Sequence, residues 1–290
     1  MKTLLDRWAA CNHRFETLLS NLYQDHNEPQ TRLFESMTYS LLAGGKRLRP
    51  FLVYQFCAAC GGRDEDADPA ARAIEMIHTY SLIHDDLPAM DNDDYRRGHL
   101  TNHKVYGEAM AILAGDGLLT DAFRVLASSE LSHQKIAACV EVLSENSGPW
   151  GMVGGQALDM LSEERELTEQ EVRDIQIRKT GGLIRAACEM GVICGGGSED
   201  QRHAARVYAD GVGLAFQIRD DVLDVIGDAA KLGKAVGVDG KKNTFVRLYG
   251  LSRCEALIQS QTESACSALS VFEAPELLID LARYLTLRDH

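Results

Sequence analysis

The sequence has few residues that interrupt helices and little sign of β-structure. Only six prolines occur in 290 residues, and strand-like alternation bounded by turn residues is hard to find. Apolar residues instead recur at helical spacing, for example in the runs 70–86 and 202–226. Thr168 with Glu171 three residues later is typical of a capped helix start. The sequence therefore predicts an all-α protein with ten or more helices.

Features of membrane, secreted and zinc-binding proteins are also missing. No uninterrupted apolar stretch approaches the ~20 residues that a membrane span requires. Asp6 and Arg7 break the N-terminal apolar run, which is untypical of a secretory signal. Among eight scattered cysteines, Cys57 and Cys60 form a C-x-x-C pair without the second pair of a structural zinc site. We therefore expect a cytoplasmic protein with no membrane span and with buried, free thiols.

Positive charge is in deficit across the chain. The 30 lysines and arginines face 43 acidic residues, for a net charge of -13. This balance argues against general nucleic-acid binding, although local clusters can still bind a small anion. Breaks between helical runs are short, and we find no repeat or linker. We therefore expect residues 1–290 to form a single all-α domain.

The stretch HDDLPAMDNDDYRRG, residues 84–98, contains five aspartates and two arginines. On a continuous helix Asp85 and Asp91 would face different ways, because six residues rotate by about 600°. Pro88 disfavours a continuous helix at this point. A local break could fold Asp91 back towards Asp85, and the converging carboxylates would then need a hard cation such as Mg²⁺.

Two other interpretations of this stretch have different chemistry. It could be a solvated acidic turn, which is a common role for such runs. It is not an EF-hand, because Arg96 and Asn102 stand where the loop from Asp91 would need glycine and glutamate. The adjacent Arg96 and Arg97 favour a phosphate site, since a guanidinium group binds phosphate oxygens two at a time.

A second acidic cluster lies in FQIRDDVLD, residues 216–224. At about 100° per residue, Gln217, Asp220, Asp221 and Asp224 share one helical face, and apolar residues occupy the other. This face could simply be solvated. If the two acidic clusters faced each other across a bundle core, they could hold a metal–diphosphate group between them.

Three basic elements accompany the acidic clusters. They are GGKRLRP at 44–50, RKTGG at 178–182 and LGKAVGVDGKK at 232–242. The first is too short for a Walker loop, and each element alone could be surface charge. Together with the acidic clusters they favour a site for two phosphorylated ligands, one bound through metal and one bound by cations directly.

Seven motifs appear in the order of one known family: GGKRLRP, HTYSLIHDDLPAMDNDDYRRG, TNHKVYGEAMAILAGDGLL, GGQALDM, KTGGLIRAAC, FQIRDDVLDVIGD and LGK. The chain resembles the short-chain trans-polyprenyl diphosphate synthases, and most closely the bacterial farnesyl diphosphate synthases. The resemblance implies an isoprenoid-synthase helical bundle, usually a homodimer, around a deep central cavity. It also implies Mg²⁺-dependent condensation of isopentenyl diphosphate with dimethylallyl or geranyl diphosphate.

The resemblance also implies a role for each matching residue. Two or three Mg²⁺ ions would be bound by Asp85, Asp91 and Asp220, with Asp86 close by and with Asp221 and Asp224 supporting through water. The allylic diphosphate would be bound by Arg96, Lys179 and Lys234. Isopentenyl diphosphate would be bound by Lys46, Arg49, His78 and Arg97. The catalytic side chains would be Lys179, Thr180 and Gln217. Thr180 and Gln217 would lie next to the allylic carbon and stabilise its positive charge. Gln156 and Asp159 would lie just behind these groups.

The resemblance further implies a product length. Tyr80 lies about one and a half turns, roughly 7.5 Å, below Asp85, and Ser81 is too small to block a growing chain. In the family, an aromatic residue at this place looks like a limit on product length at 15 carbons. We therefore expect farnesyl diphosphate as the product, with geranyl diphosphate as the next candidate. The loop after LGK is about two residues shorter than in the family and lacks its proline, with Lys242 as the plausible second lysine. This departure puts closure of the site in doubt.

Other functions fit the sequence less well. A terpene cyclase would not need the second basic group of Lys46, Arg49 and Arg97, and an HD-type phosphohydrolase would need metal-binding histidines that we do not find. We expect His78 and His84 to contact a ligand or pack between helices, not to form a Ser/His/Asp triad. Geranyl or geranylgeranyl diphosphate synthesis remains an alternative. A non-catalytic partner subunit is disfavoured, because both aspartate motifs are complete.

Overall fold

The computed structural model describes residues 2–23, 28–162, 165–232 and 243–286. The helices in these ranges are α1 (Lys2–Ser20), α2 (Thr31–Leu41), α3 (Leu48–Ala59), α4 (Asp64–Asp85), α5 (Asn102–Tyr106), α6 (Glu108–Ala127), α7 (His133–Ser147), α8 (Met152–Leu161), α9 (Glu169–Gln176), α10 (Gly182–Gly195), α11 (Glu199–Leu232), α12 (Phe245–Tyr249), α13 (Leu251–Ala268) and α14 (Glu276–Thr286). A π-helical turn, Ile177–Gly181, joins α9 to α10, and a 3₁₀ turn, Leu269–Val271, follows α13. The predicted all-α fold is confirmed.

Very little of the described chain is extended. A two-residue antiparallel hairpin pairs β1 (Tyr95–Arg96) with β2 (His99–Leu100) directly after the first acidic cluster. The predicted capped helix start is present, because the Glu171 carboxylate accepts from the Thr168 N–H at 2.9 Å. No helix in the described ranges is long and apolar enough to cross a lipid bilayer.

The described helices enclose two apolar cores. In the larger core α4 packs against α3, α6 and α10, around large buried rings such as Tyr54 and Phe56. The smaller core forms where the second half of α11 meets α9, α12 and α13, and it includes Ile218 and Val222. Because these two residues are buried, Asp220 and Asp224 of the second acidic cluster are left on the opposite side of α11.

One charged side chain is fully enclosed near the start of α3. Arg47 has no exposed side-chain surface, and its guanidinium lies 2.6 Å from both the Glu16 and the Glu75 carboxylates. It also donates to the Leu41 carbonyl. Arg47 adopts a left-handed φ of 50°, a conformation that costs free energy for a residue with a Cβ and that these contacts offset. Arg47 therefore fixes the turn that precedes Arg49 in α3.

We expect Arg47→Met to lower the free energy of unfolding by about 3–5 kcal/mol, because Glu75 would be left buried and unpaired. Urea denaturation followed by circular dichroism measures the change. Arg63→Ala is the control: Arg63 pairs with Asp66 at 3.2 Å, but its side chain is 75% exposed, so the loss of stability should be far smaller than in Arg47→Met. Equal losses in the two variants would contradict the assigned role of Arg47.

Candidate active site

A cavity of about 390 Å³ opens between α4, α8 and the π-helical turn. Its lining includes four acidic or basic side chains that the sequence predicts to lie in the site: Arg49, His78, Asp85 and Lys179. It also includes four predicted residues without charge: Tyr80, Ser81, Gln156 and Thr180. The remaining wall is largely apolar, with methionine and leucine side chains. A larger groove of about 560 Å³ beside α2 and α5 contains no predicted site residue.

The first acidic cluster begins where α4 ends, at Asp85. The chain then folds back, and the backbone N–H of Asp91 donates to the Asp85 carbonyl at 2.8 Å. This is the local break that the sequence predicts. Burial raises the pKa of Asp85 to about 6, and the negative charges of Asp91 and Asp86 act in the same direction, against the nearby cation of Lys179. A cation placed here would relieve an unfavourable concentration of negative charge.

The neighbouring Asp86 has a different environment from Asp85. It is buried, and its carboxylate accepts hydrogen bonds from Arg96 at 2.6–2.7 Å. Burial raises the pKa of Asp86, against the hydrogen bond from Arg96. The Arg96 guanidinium also lies 3.5 Å from Asp93. This arrangement orients Arg96 at the edge of the acidic cluster, and sequence spacing alone did not predict the pair.

The basic residues Arg49 at the start of α3, His78 in α4 and Arg97 in the hairpin form a second group. Burial lowers the pKa of Arg49 to about 10. The negative charge of Glu75 opposes this shift, and the positive charge of Arg97 adds to it. Burial and then the charges of Arg49 and Arg97 hold the pKa of His78 well below its usual value. The Nε atom of Arg49 is buried and has no hydrogen-bond partner among the described residues. This excess of positive charge suits an anion.

Two predicted cations lie at the edge of this group. Arg97 is exposed, donates to the Gly44 carbonyl and would contact any Cβ added at Gly45. Burial of its guanidinium lowers its pKa. Lys46 is exposed and does not line the cavity. Its carbonyl accepts from the Trp8 indole N–H at 2.8 Å, which fixes the backbone and leaves the ammonium group in solvent.

The π-helical turn places two predicted catalytic residues. Lys179 lies 2.6 Å from the Asp159 carboxylate of α8. Gln217 Nε2 in α11 donates to Thr180 Oγ1 at 3.1 Å and to Gln176 Oε1 at 2.9 Å. These bonds tie α11 to the cavity wall. Sequence analysis did not predict the π-helical turn, a feature that is frequent at functional sites.

A glycine on α8 explains why the turn can approach so closely. A Cβ at Gly155 would lie 2.3 Å from the Lys179 backbone nitrogen. Only a residue without a side chain fits there. The signal available in the sequence was the pair of glycine-rich motifs GGQALDM and KTGGL, which the structure brings into contact.

The second acidic cluster lies within the continuous helix α11. Asp220 is half-buried and follows Gln217 by three residues, so both side chains project from the same side of the helix. The Asp221 carboxylate accepts from the backbone N–H of Phe245 at 2.7 Å and thereby holds the start of α12. Asp224 is exposed. Lys234 and Lys242 lie outside the described residues.

The carboxylates fit a metal that shares its coordination with a ligand. Among the described residues, no three His, Cys, Asp or Glu side chains group closely enough to form a protein-only metal site. Mg²⁺ usually needs only one or two carboxylates when phosphate oxygens and water complete its octahedron. Asp85 and Asp91, which the fold-back of the chain brings together, offer carboxylates of this kind.

A model of the polyprenyl synthetase family matches residues 30–270, and the chain therefore belongs to that family. A farnesyl diphosphate synthase from Micrococcus luteus is 45% identical, covering 93% of this chain and 94% of that protein. A farnesyl diphosphate synthase from Bacillus subtilis (strain 168) is 42% identical and covers 93% of each. The family predicted from the ordered motifs is thereby confirmed.

Solved structures give the same result for the fold. An FPP/GFPP synthase from Zymomonas mobilis superposes with a TM-score of 0.88 at 35% identity, covering 98% of this chain and 99% of that chain. A geranyltransferase from Legionella pneumophila has a TM-score of 0.85 at 36% identity, covering 99% and 97%. These similarities confirm the predicted isoprenoid-synthase bundle.

Proposed function

We propose that this protein is a Mg²⁺-dependent prenyltransferase that condenses isopentenyl diphosphate with dimethylallyl and geranyl diphosphate to make farnesyl diphosphate. Relatives named farnesyl diphosphate synthase are 42–47% identical over most of the chain. The observation that carries the proposal is one cavity whose lining brings Asp85 and Lys179 together with Arg49, His78 and Tyr80.

The acidic side of the cavity would bind the allylic diphosphate. Bound Mg²⁺, held by Asp85, Asp91 and Asp220, would neutralise charge on the leaving diphosphate. Lys179 and Arg96 would hold its oxygens. Both cations already have carboxylate partners, so their positions are fixed before the substrate arrives. Fixed charges need little reorganisation as the allylic C–O bond breaks, which lowers the barrier.

Isopentenyl diphosphate would be bound by Arg49 and His78 in the cavity and by Arg97 and Lys46 at the edge of this group. Thr180 and Gln217 would steady the allylic cation. Both hydrogen bonds of Gln217 described above use its Nε2 atom, which leaves its carbonyl oxygen available for a positive charge. The apolar wall would keep water away from the cation. The departed diphosphate would accept the proton that leaves the condensed product.

Product length would be set where the cavity ends. Tyr80 is 6% exposed and lines the cavity one and a half turns below Asp85. Burial raises the pKa of Tyr80 to about 12, so its hydroxyl stays neutral. Ser81 donates to the His78 carbonyl at 2.9 Å and offers no bulk. The ring of Tyr80 would therefore stop the growing chain at C15.

A direct assay tests this function. Purified protein is incubated with isopentenyl diphosphate and either allylic diphosphate, with Mg²⁺ or with EDTA, and the products are separated by length. We expect a C15 product that requires Mg²⁺. A C10 or C20 product would identify a geranyl or geranylgeranyl diphosphate synthase instead. No condensation under Mg²⁺ would reject the enzyme and leave the partner-subunit alternative.

We further propose that residues 1–290 are a single domain, that the protein is a homodimer and that it is cytoplasmic. The exposed apolar side chains Ile112 and Leu113 on α6 are suited to an interface between copies. Light scattering after size-exclusion chromatography measures the mass, and a monomer at micromolar concentration would contradict the dimer.

Arg49→Gln should raise the KM for isopentenyl diphosphate by about 10–100-fold, because a charge-assisted hydrogen bond is worth roughly 1.5–3 kcal/mol. The KM for geranyl diphosphate should change little, since Lys179 and Arg96 would bind that substrate. The thermal midpoint should not fall, because the variant removes a buried cation from a group of like charges. Initial rates at varied substrate concentrations give both KM values.

The exposed Arg63 provides the control for this variant. Arg63→Gln removes the same charge outside the cavity and should leave both KM values unchanged. If Arg49→Gln raised the KM values of both substrates equally, Arg49 would not be specific to the isopentenyl diphosphate site.

A further inference from the structure

His84 contacts the tyrosine that closes the cavity. The rings of Tyr80 and His84 lie 5.8 Å apart at 77°, an edge-to-face arrangement. The two residues are four apart on α4, and helical side chains lean towards the N-terminus. The imidazole therefore covers the turn that carries Tyr80. His84 also lines the cavity itself, so any displacement of its ring alters the space for a product.

Helix α6 holds the other side of the imidazole. His84 Nε2 lies 3.1 Å from the Ile112 carbonyl, a hydrogen bond in which the ring N–H donates. A Cβ added at Gly115 would lie 2.1 Å from the same Nε2, and its three nearest atoms all belong to this ring. The absence of a side chain at Gly115 is thus what lets the imidazole sit against α6. The contact joins α6 to the floor of the cavity.

The next glycine on α6 has no such neighbour. A Cβ at Gly117 would lie 3.1 Å from the Sδ atom of Met37, at the flexible end of that side chain. The two glycines share a helix and therefore a similar loss of backbone freedom. They differ in what a methyl group would displace, which makes Gly117 a matched control for Gly115.

We propose that His84 is a positioning residue that holds Tyr80 in place as the cavity floor, and that Gly115 is the socket that admits its ring. The proposal rests on the proposed function, because it concerns the length of a prenyl product. A methyl group at position 115 must displace the imidazole, and α6 blocks movement away from the cavity. The ring then moves into the space where the product would grow, and the chain ends earlier.

The experiment is a double-mutant cycle with the full-length protein, Mg²⁺, isopentenyl diphosphate and dimethylallyl diphosphate. Gly115→Ala should raise the ratio of C10 to C15 product about tenfold, the scale on which a small change of bulk discriminates in an apolar pocket. His84→Ala should instead raise the C20 share, because Tyr80 loses its support. Gly117→Ala should leave the ratio unchanged.

The double variant separates a ring clash from a general defect of α6. Without the imidazole, alanine at position 115 has room, so His84→Ala/Gly115→Ala should give the same product distribution as His84→Ala. A further shift in the double variant would overturn the proposal, and so would wild-type product lengths in His84→Ala. If Gly115→Ala does not fold, the product distributions of His84→Ala and of the double variant still test the proposal. A wild-type protein without condensation activity would instead refute the proposed function.

Discussion

Asp85→Asn is expected to lower kcat by at least ~10³-fold while the protein stays folded. The carboxylate would hold Mg²⁺ against the leaving diphosphate, and a lost metal contact removes several kcal/mol of transition-state stabilisation. An amide keeps the shape of the side chain but not its charge. Steady-state rates at saturating substrates and raised Mg²⁺ measure the effect, and circular dichroism monitors the fold.

Stability should move in the opposite direction to activity. The raised pKa of Asp85 means that its ionised form, which predominates above about pH 6, destabilises the folded protein relative to the unfolded chain. Asparagine removes that charge, so at pH 7.5 and without Mg²⁺ the unfolding midpoint should stay level or rise. A large fall in stability would show that the activity loss comes from unfolding.

Asp94→Asn is the matched control within the same acidic run. Asp94 is exposed and pairs with Lys104 at 2.7 Å, away from the cavity. Its loss should change kcat by less than about twofold and leave the unfolding midpoint nearly unchanged. If Asp85→Asn kept more than a tenth of the wild-type kcat, Asp85 would have to be removed from the metal site.

The parts of the site that follow from helix periodicity were predictable from sequence. The end of α4 at Asp85 and the break near Pro88 arise because proline cannot continue a regular helix. The polar face of Gln217 and Asp220 arises because the residues opposite them, such as Ile218, are buried. These features depend on neighbours a few residues away, which a single sequence displays directly.

The pairings across helices were not predictable in the same way. Asp86 with Arg96 and Lys179 with Asp159 join residues from different elements, and no spacing rule connects them. The π-helical turn also has no periodicity of its own in so short a segment. Arg49, Asp85 and Lys179, which line the cavity, are among the residues that the sequence singled out. The sequence could not say which cations already have carboxylate partners.

Tyr80→Ala should shift the main product from C15 to C20 or longer. The ring is buried in the lining of the cavity, and its removal would open space along α4 for another isoprene unit. The rate of the first condensation should change by less than about tenfold, because Asp85 lies one and a half turns away along α4. Product length is measured by chromatography of the dephosphorylated alcohols.

Tyr80→Phe is the control that separates bulk from polarity. Phenylalanine keeps the ring and removes only a hydroxyl that is neutral at the assay pH, so the product should remain C15. An unchanged length in Tyr80→Ala would show that the chain does not end at this ring. A longer product in Tyr80→Phe would mean that the hydroxyl stops the chain. Longer products in Tyr80→Ala alone would assign the limit to the volume of the ring, because that volume is what separates the two variants.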